Sequence, residues 1–121
     1  MIKTQGLTHI HLMVEDLDRS LRFYEQVFGM QELFREGPDM VFLRTPGSED
    51  VITLHRRETD QETGAMGSIA HFGFHLADGA DLDEGISEIE AAGGRLLERG
   101  NHGGADAYAY VADPDGYVIE I

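Results

Sequence analysis

The chain has 121 residues, 41% of them hydrophobic and 26% charged, which suits one ordinary water-soluble domain and leaves no room for two independent cores. Its formal charge of −14, from 23 acidic against 9 basic residues, argues against nucleic acid and anionic membranes as partners, since binding either demands neutralising cations. The absence of cysteine excludes disulfides, thiolate ligands and thiol nucleophiles, so a bound metal must rely on histidine and carboxylate. No apolar run approaches bilayer length and the N-terminus lacks signal-peptide order, so the expected address is the cytoplasm.

In chain order, the first element is a strand within His9-Ile10-His11-Leu12-Met13-Val14-Glu15-Asp16. A helix follows, because Leu17, Leu21, Tyr24 and Phe28 recur at three- and four-residue steps. Aspartate lies near its start, and Gly29 sits where a left-handed helix end favours a residue without a side chain. Three β-prone runs come next, at Gln31 to Arg35, Met40 to Arg44 and Val51 to His55. Residues 56 to 68 are polar, contain Gly64 and Gly67 and show no period, which marks a linker.

The same order then repeats. His71-Phe72-Gly73-Phe74-His75-Leu76-Ala77-Asp78 aligns with the first segment, histidine on histidine and aspartate on aspartate. Leu82, Ile86 and Ile89 give a second helix ending at Gly93, followed by strands at Arg95 to Glu98, Ala107 to Ala112 and Tyr117 to Ile121. Asp113-Pro114-Asp115-Gly116 is a turn, since proline presets the first central torsion and glycine suits the exit. The fold class expected is therefore α+β, with two βαβββ modules in tandem forming curved mixed sheets with the helices outside. One domain spans residues 1–121, with module one at about 5–55, a linker at about 56–68 and module two at about 69–121.

If a pseudo-two-fold axis relates the modules, His9 faces His71, and Thr53 faces Glu120 at the matched position of each last strand. Two imidazoles and a carboxylate suit one divalent ion, Fe, Mn, Zn, Ni or Co, with positions left open for substrate. Any single strand histidine is more often an ordinary core or surface residue; the matched placement is what favours the set. His55 shares the face of Thr53 and stays open as a replacement ligand, a general base or an exposed strand end. His11 shares the face of His9, and His75 that of His71, without an assigned role. Arg56 and Arg57 could meet an anionic substrate group, although linker charges are usually only solvated.

Several motifs together resemble the vicinal oxygen chelate superfamily, which holds glyoxalase I, extradiol dioxygenases, fosfomycin-resistance transferases, methylmalonyl-CoA epimerases and bleomycin-binding proteins. They are Leu7-Thr8-His9 with Asp16-Leu17-Asp18-Arg19-Ser20, Phe23-Tyr24-Glu25 through Phe28-Gly29-Met30, Ala70-His71, Ala92-Gly93-Gly94, and Asp113-Pro114-Asp115-Gly116-Tyr117 leading to Glu120. The resemblance covers nearly the whole chain and implies metal-ligand roles for His9, His71 and Glu120. It departs from glyoxalase I at Thr53, where that enzyme has a second glutamate; a threonine hydroxyl is a poor base at neutral pH. Tyr110 resembles a substrate-touching tyrosine of the extradiol and fosfomycin enzymes, with plain core packing as its alternative. His102, in a glycine-rich loop, loosely resembles a histidine near the extradiol centre, or is a solvated loop residue. With three protein ligands, the leading implied activity is an extradiol-type dioxygenase acting on a small molecule with adjacent oxygens. Its catalytic residues would be His55, Tyr110 and Glu120, with Thr53, Tyr110 and His102 touching substrate. A glyoxalase-like lyase or isomerase, a fosfomycin-type thiol transferase and a non-catalytic drug-sequestering protein are the alternatives. Short two-module relatives also imply a homodimer whose sites draw on both subunits.

Overall fold

The computed structural model describes residues 1–121 except 2, 4, 6, 65–68, 70 and 102–106. In module one, β1 (Ile10–Val14) is followed by α1 (Leu17–Phe28), β2 (Gln31–Glu36), β3 (Met40–Arg44) and β4 (Ile52–Arg56). Module two repeats this with β5 (Phe72–Gly73), α2 (Leu82–Ala91), β6 (Arg95–Asn101), β7 (Ala107–Ala112) and β8 (Val118–Glu120). The two four-stranded sheets have the same order, β1-β4-β3-β2 and β5-β8-β7-β6. In each, the first and last strands of the module pair in parallel and the other neighbours are antiparallel. The expected mixed sheets and both helices are therefore present, with Met40–Arg44 and Ala107–Ala112 bounded as the sequence indicates. The main difference is β5, only two residues long among the described residues.

Local chemistry explains the helix ends. Asp16 caps α1 by accepting from the Arg19 amide at 3.0 Å, and Asp81 caps α2 by accepting from the Glu84 amide at 3.0 Å. Gly29 and Gly93, just past the two helices, have φ of 64° and 93°, the conformation that glycine adopts without a Cβ penalty. β2 and β6 each carry a bulge, between Glu32 and Phe34 and between Leu96 and Glu98. Matching irregularities at matching positions extend the repeat from sequence into backbone geometry.

Strand parity separates two faces of each sheet. In module one Leu12, Val14, Val41, Leu43, Ile52 and Leu54 are buried in the core with Leu17, Leu21, Phe23 and Tyr24 of α1. In module two Ala109, Val111 and Ile119 are buried with Ile86 and Ile89 of α2. The opposite, open faces carry the polar and aromatic residues, with His11 opposite Thr53, Phe42 opposite Thr53 and Tyr110 opposite Glu120.

The modules are joined chiefly by the Asp113-Pro114-Asp115-Gly116 turn. Asp115 accepts hydrogen bonds from the Glu15 amide, the Ser20 hydroxyl and the Arg19 guanidinium at 2.9, 2.9 and 3.2 Å. Buried Asp113 accepts from the Tyr24 hydroxyl at 2.8 Å and from the Asp115 and Tyr117 amides at 2.9 Å each. Tyr117 donates to the Met13 carbonyl at 2.7 Å, and Phe28 stacks on Phe74 at 3.9 Å between centroids. Burial pushes the Asp113 carboxyl up to about 6 against these stabilising donors. Burial, with Asp113 alongside, pushes the Tyr24 hydroxyl well above its ordinary range. No helix among the described residues is long and apolar enough to cross a membrane.

Candidate functional site

In module two the parallel pairing of β5 with β8 sets Gly73 opposite Glu120 and brings His71, just before β5, to the same open face. A Cβ at Gly73 would meet the Glu120 carbonyl oxygen at 3.1 Å, so glycine here lets the two strands approach closely. His71 Nε2 and Glu120 Oε2 are 3.3 Å apart, with both side chains partly exposed. Two ligand atoms each about 2.1 Å from an ion and roughly 90–105° apart would be about 3.0–3.3 Å from one another. The Tyr110 ring packs against His71 edge-on at 5.0 Å. Burial, then Glu120 and Glu98, raise the Tyr110 hydroxyl above its ordinary range, keeping it a hydrogen-bond donor, and its side chain bonds Glu120.

In module one, His9 Nδ1 lies 2.9 Å from the Thr8 hydroxyl. A hydroxyl on one ring nitrogen helps orient an imidazole and leaves its other nitrogen unoccupied by that contact. The chemistry of this donor set fits a divalent ion. Within the single chain, no three His, Asp or Glu side chains among the described residues gather as a metal-holding group. His71 and Glu120 meet, while His9 stands apart from them. The edges of the modules do approach: one cavity of about 380 Å³ is lined by Thr8, His9 and Ile10 from one and Phe72, Gly73 and Phe74 from the other.

His11 Nε2 is 3.1 Å from His55 Nδ1, so His55 is neither a lone strand-end residue nor free on both nitrogens. Burial first, then His55 and His9, lower the His11 pKa. Thr53 between them is fully buried, and its hydroxyl has no hydrogen-bond partner. His75, Tyr108 and Glu120 line a second cavity of about 550 Å³. A larger one, about 650 Å³, is lined by Arg56, Arg57, Asp39 and Glu15. Its two arginines are already paired, Arg56 to Asp39 at 2.6 Å and Arg57 to Glu15 at 3.4 Å, so volume is a poorer guide here than donor chemistry. Arg56 is the last residue of β4 and Arg57 follows it, and each is paired at the surface with a carboxylate of module one. His102 lies outside the described residues. One residue escaped the sequence reading: Arg44, whose parity with Phe42 puts it on the open face; strict alternation along β3 was the signal that could have found it.

A family model described as the Glyoxalase/Bleomycin resistance protein/Dioxygenase superfamily matches residues 6–121. The chain belongs to that superfamily. Within the superfamily it is 35% identical over 122 residues to the lactoylglutathione lyase of Haemophilus influenzae, covering 94% of this chain and 89% of that protein. It is 33% identical over 128 residues to a probable lactoylglutathione lyase of Vibrio parahaemolyticus, covering 95% and 88%. Among solved structures, a glyoxalase-related enzyme from Fulvimarina pelagi matches with a TM-score of 0.76 at 26% identity, covering 98% of this chain and 87% of that one. The fosfomycin resistance protein FosX of Listeria monocytogenes matches at 0.76 and 23% identity over 98% and 92%, which is a likeness of superfamily fold.

Proposed function

We propose that this chain is a metal-dependent lyase or isomerase of the cytoplasm that moves a proton between neighbouring carbons of a small molecule with adjacent oxygens. The observation that carries the reading is the 3.3 Å approach of His71 Nε2 to Glu120 Oε2 with Tyr110 against the same pair. His9, His71 and Glu120 would hold the ion, which when bound supplies Lewis-acid polarisation of the substrate oxygens. Glu120 then takes the proton from the carbon beside a polarised oxygen and returns it to the next carbon. Tyr110, kept protonated, donates to the charge that develops on the substrate, and Thr53, buried beneath the open face, is the neutral position where glyoxalase I has a carboxylate.

Two features support lyase chemistry over the oxygenase. The relatives at 33% and 35% identity carry lyase names, which lend the expected extradiol-type dioxygenase no support. The His11–His55 pair also supplies, two residues beyond Thr53, a second proton-handling group where the carboxylate of glyoxalase I is missing. A homodimer belongs to the proposal. Leu33, Phe34, Leu96 and Leu97 are exposed on β2 and β6, the outer strands of the sheets, and a second chain covering them would let the His9 of one subunit complete the His71–Glu120 pair of the other.

The test is solvent-deuterium exchange, followed by NMR, at the hydroxyl-bearing carbon next to the carbonyl in a panel of 2-hydroxy ketones and of hemithioacetals of 2-oxoaldehydes, with protein reconstituted with each candidate metal. Metal-dependent exchange that falls about 100-fold or more in Glu120→Gln supports the reading. Oxygen consumption with a catechol panel and no exchange would replace it with the dioxygenase. Tight ligand binding by metal-free protein without exchange would replace it with sequestration.

A further inference from the structure

Arg44 is the last residue of β3, and on an acidic chain its surroundings are unusual. Of the nine Lys and Arg residues, Arg19, Arg35, Arg56, Arg57 and Arg99 are each paired with a carboxylate. Among the described residues Lys3, Arg22, Arg44 and Arg95 have no such partner; the other three are exposed, whereas Arg44 is half-buried within a sheet, and its Nε is shut off from water without a hydrogen-bond partner. Of the carboxylates near it in sequence, Asp39 is paired with Arg56 at 2.6 Å, and Asp50 accepts from the amide and hydroxyl of Thr45 at 2.9 and 2.7 Å. A half-buried guanidinium held without a carboxylate partner is under-satisfied, and a bound anion would meet its remaining N–H groups with charge-assisted bonds.

The register says where such an anion would lie. Phe42 pairs with Thr53 and Met40 with His55, so Arg44, two residues on from Phe42, shares their open face. Leu43 pairs with Ile52, and Ile52 with Ile10. One step on, the row across the sheet runs Arg44, Val51, His9, which puts the first and last about 10 Å apart at Cα by the spacing of strands. Thr53, whose buried hydroxyl also lacks a partner, adjoins that row on the same face. Two of the three buried side-chain polar atoms without partners among the described residues thus lie on one face beside a proposed metal ligand. The third, Arg19 Nε, belongs to the pair with Asp115.

We propose that Arg44 anchors an anionic group of the substrate. The substrate would be a small acid that presents adjacent oxygens at the His9 end of the row and a carboxylate roughly two or three carbons away at the Arg44 end. This rests on the metal-chelating reading above. It is independent of whether His71 comes from the same chain or a second one, because Arg44 and His9 share a module.

The experiment compares two probes with the same chelating end, 2-oxoglutarate and 2-oxopentanoate, the second lacking the distal carboxylate. Binding to metal-reconstituted full-length protein is measured by calorimetry, with metal content determined on the same samples. The expected result is that wild type binds 2-oxoglutarate about tenfold or more tighter than 2-oxopentanoate. Arg44→Gln should reduce the ratio to within about twofold without changing 2-oxopentanoate affinity or metal content, and Arg44→Lys should restore part of it. Equal binding of the two probes to wild type, or discrimination that survives in Arg44→Gln, overturns the anchor while leaving chelation intact. Wild type that takes up no metal and binds neither probe overturns both the anchor and the chelating reading. Thermal melting of each variant separates loss of the anchor from loss of the fold.

Discussion

The two modules share one backbone plan, yet their open faces are chemically unlike. Superposing the registers sets Phe42 against Tyr110, Thr53 against Glu120 and Arg44 against Ala112. Module one thus offers imidazoles, a neutral hydroxyl and a cation without a carboxylate partner among the described residues, whereas module two offers a carboxylate, an imidazole beside it and a phenol. The core faces diverge far less, because apolar contact under each helix constrains both copies in the same way. A repeat therefore preserves what packing demands and frees the positions that packing does not see. The proposed donor set would be an unequal joint product of two faces rather than two copies of half a site.

The strongest way to break that division is to remove donors from module two. Glu120→Ala and His71→Ala are each expected to lower metal affinity by on the order of 100-fold or more, beyond the usual effect of losing a residue that only orients a ligand. Plasma mass spectrometry on tag-free protein checks this, with wild type expected to hold about one ion per site. A variant that keeps its full metal content would show that module one's histidines suffice, and the asymmetry would collapse.

Next in size is the turn that clamps the modules together. Asp113→Ala leaves the Tyr24 hydroxyl and two amides without their acceptor, with a loss of about 3 kcal/mol expected in urea unfolding. The pH dependence is more telling. Burial raises the folded Asp113 carboxyl to about 6, above its unfolded value, with Asp115, Tyr24 and Tyr117 as the ionisable groups around it. The folded state therefore holds the proton more tightly. The associated stability is fully present below pH about 4 and is lost as pH rises through about 6, by roughly 2–3 kcal/mol. Asp113→Asn keeps acceptors for the amides and has nothing to titrate, so its stability should stay flat across that window. An unchanged slope in Asp113→Asn would assign the pH dependence to other groups.

Much of this was legible in the sequence, and the reasons are physical. The helices could be read because apolar residues recur at helical steps between an aspartate cap and a glycine, and β3 and β7 because alternation is strict. The repeat gave His9, His71, Thr53 and Glu120 as matched positions, and the structure brings His71 to Glu120. What escaped depends on registry between strands distant in sequence. The His11–His55 bond needs β1 beside β4, and the setting of Arg44 needs the knowledge that Arg56 has paired with Asp39 and Thr45 with Asp50. The clamp was hidden for the same reason: Asp113-Pro114-Asp115-Gly116 announces a turn locally, while its partners Tyr24 and Ser20 lie 89 and 95 residues away.

A smaller effect would sharpen the comparison at the one position where a carboxylate is missing. Thr53→Glu makes the two last strands alike, and we expect metal affinity to rise about tenfold, near 1.4 kcal/mol. Thr53 is fully buried, so the metal-free variant should melt lower than wild type, with added metal restoring much of the difference as charge meets charge. Metal affinity that does not change would mean that position 53 does not face the ion, and the proposed convergence of the two modules would lose its geometric basis.

The smallest effect is expected where the modules are most alike. Asp16 and Asp81 accept from the amide three residues on at the same 3.0 Å, so Asp16→Ala and Asp81→Ala should each cost about 1 kcal/mol. The equality is informative because the helices differ otherwise. α1 has 12 residues and buries five, whereas α2 has 10, buries two and carries Gly85 in its middle. If capping is local, the two losses match despite that contrast, as denaturant midpoints at constant m-value would report. If Asp81→Ala costs much more than Asp16→Ala, the shorter helix depends on its cap for what α1 obtains from packing. The divergence between modules would then extend from their open faces into their scaffolds.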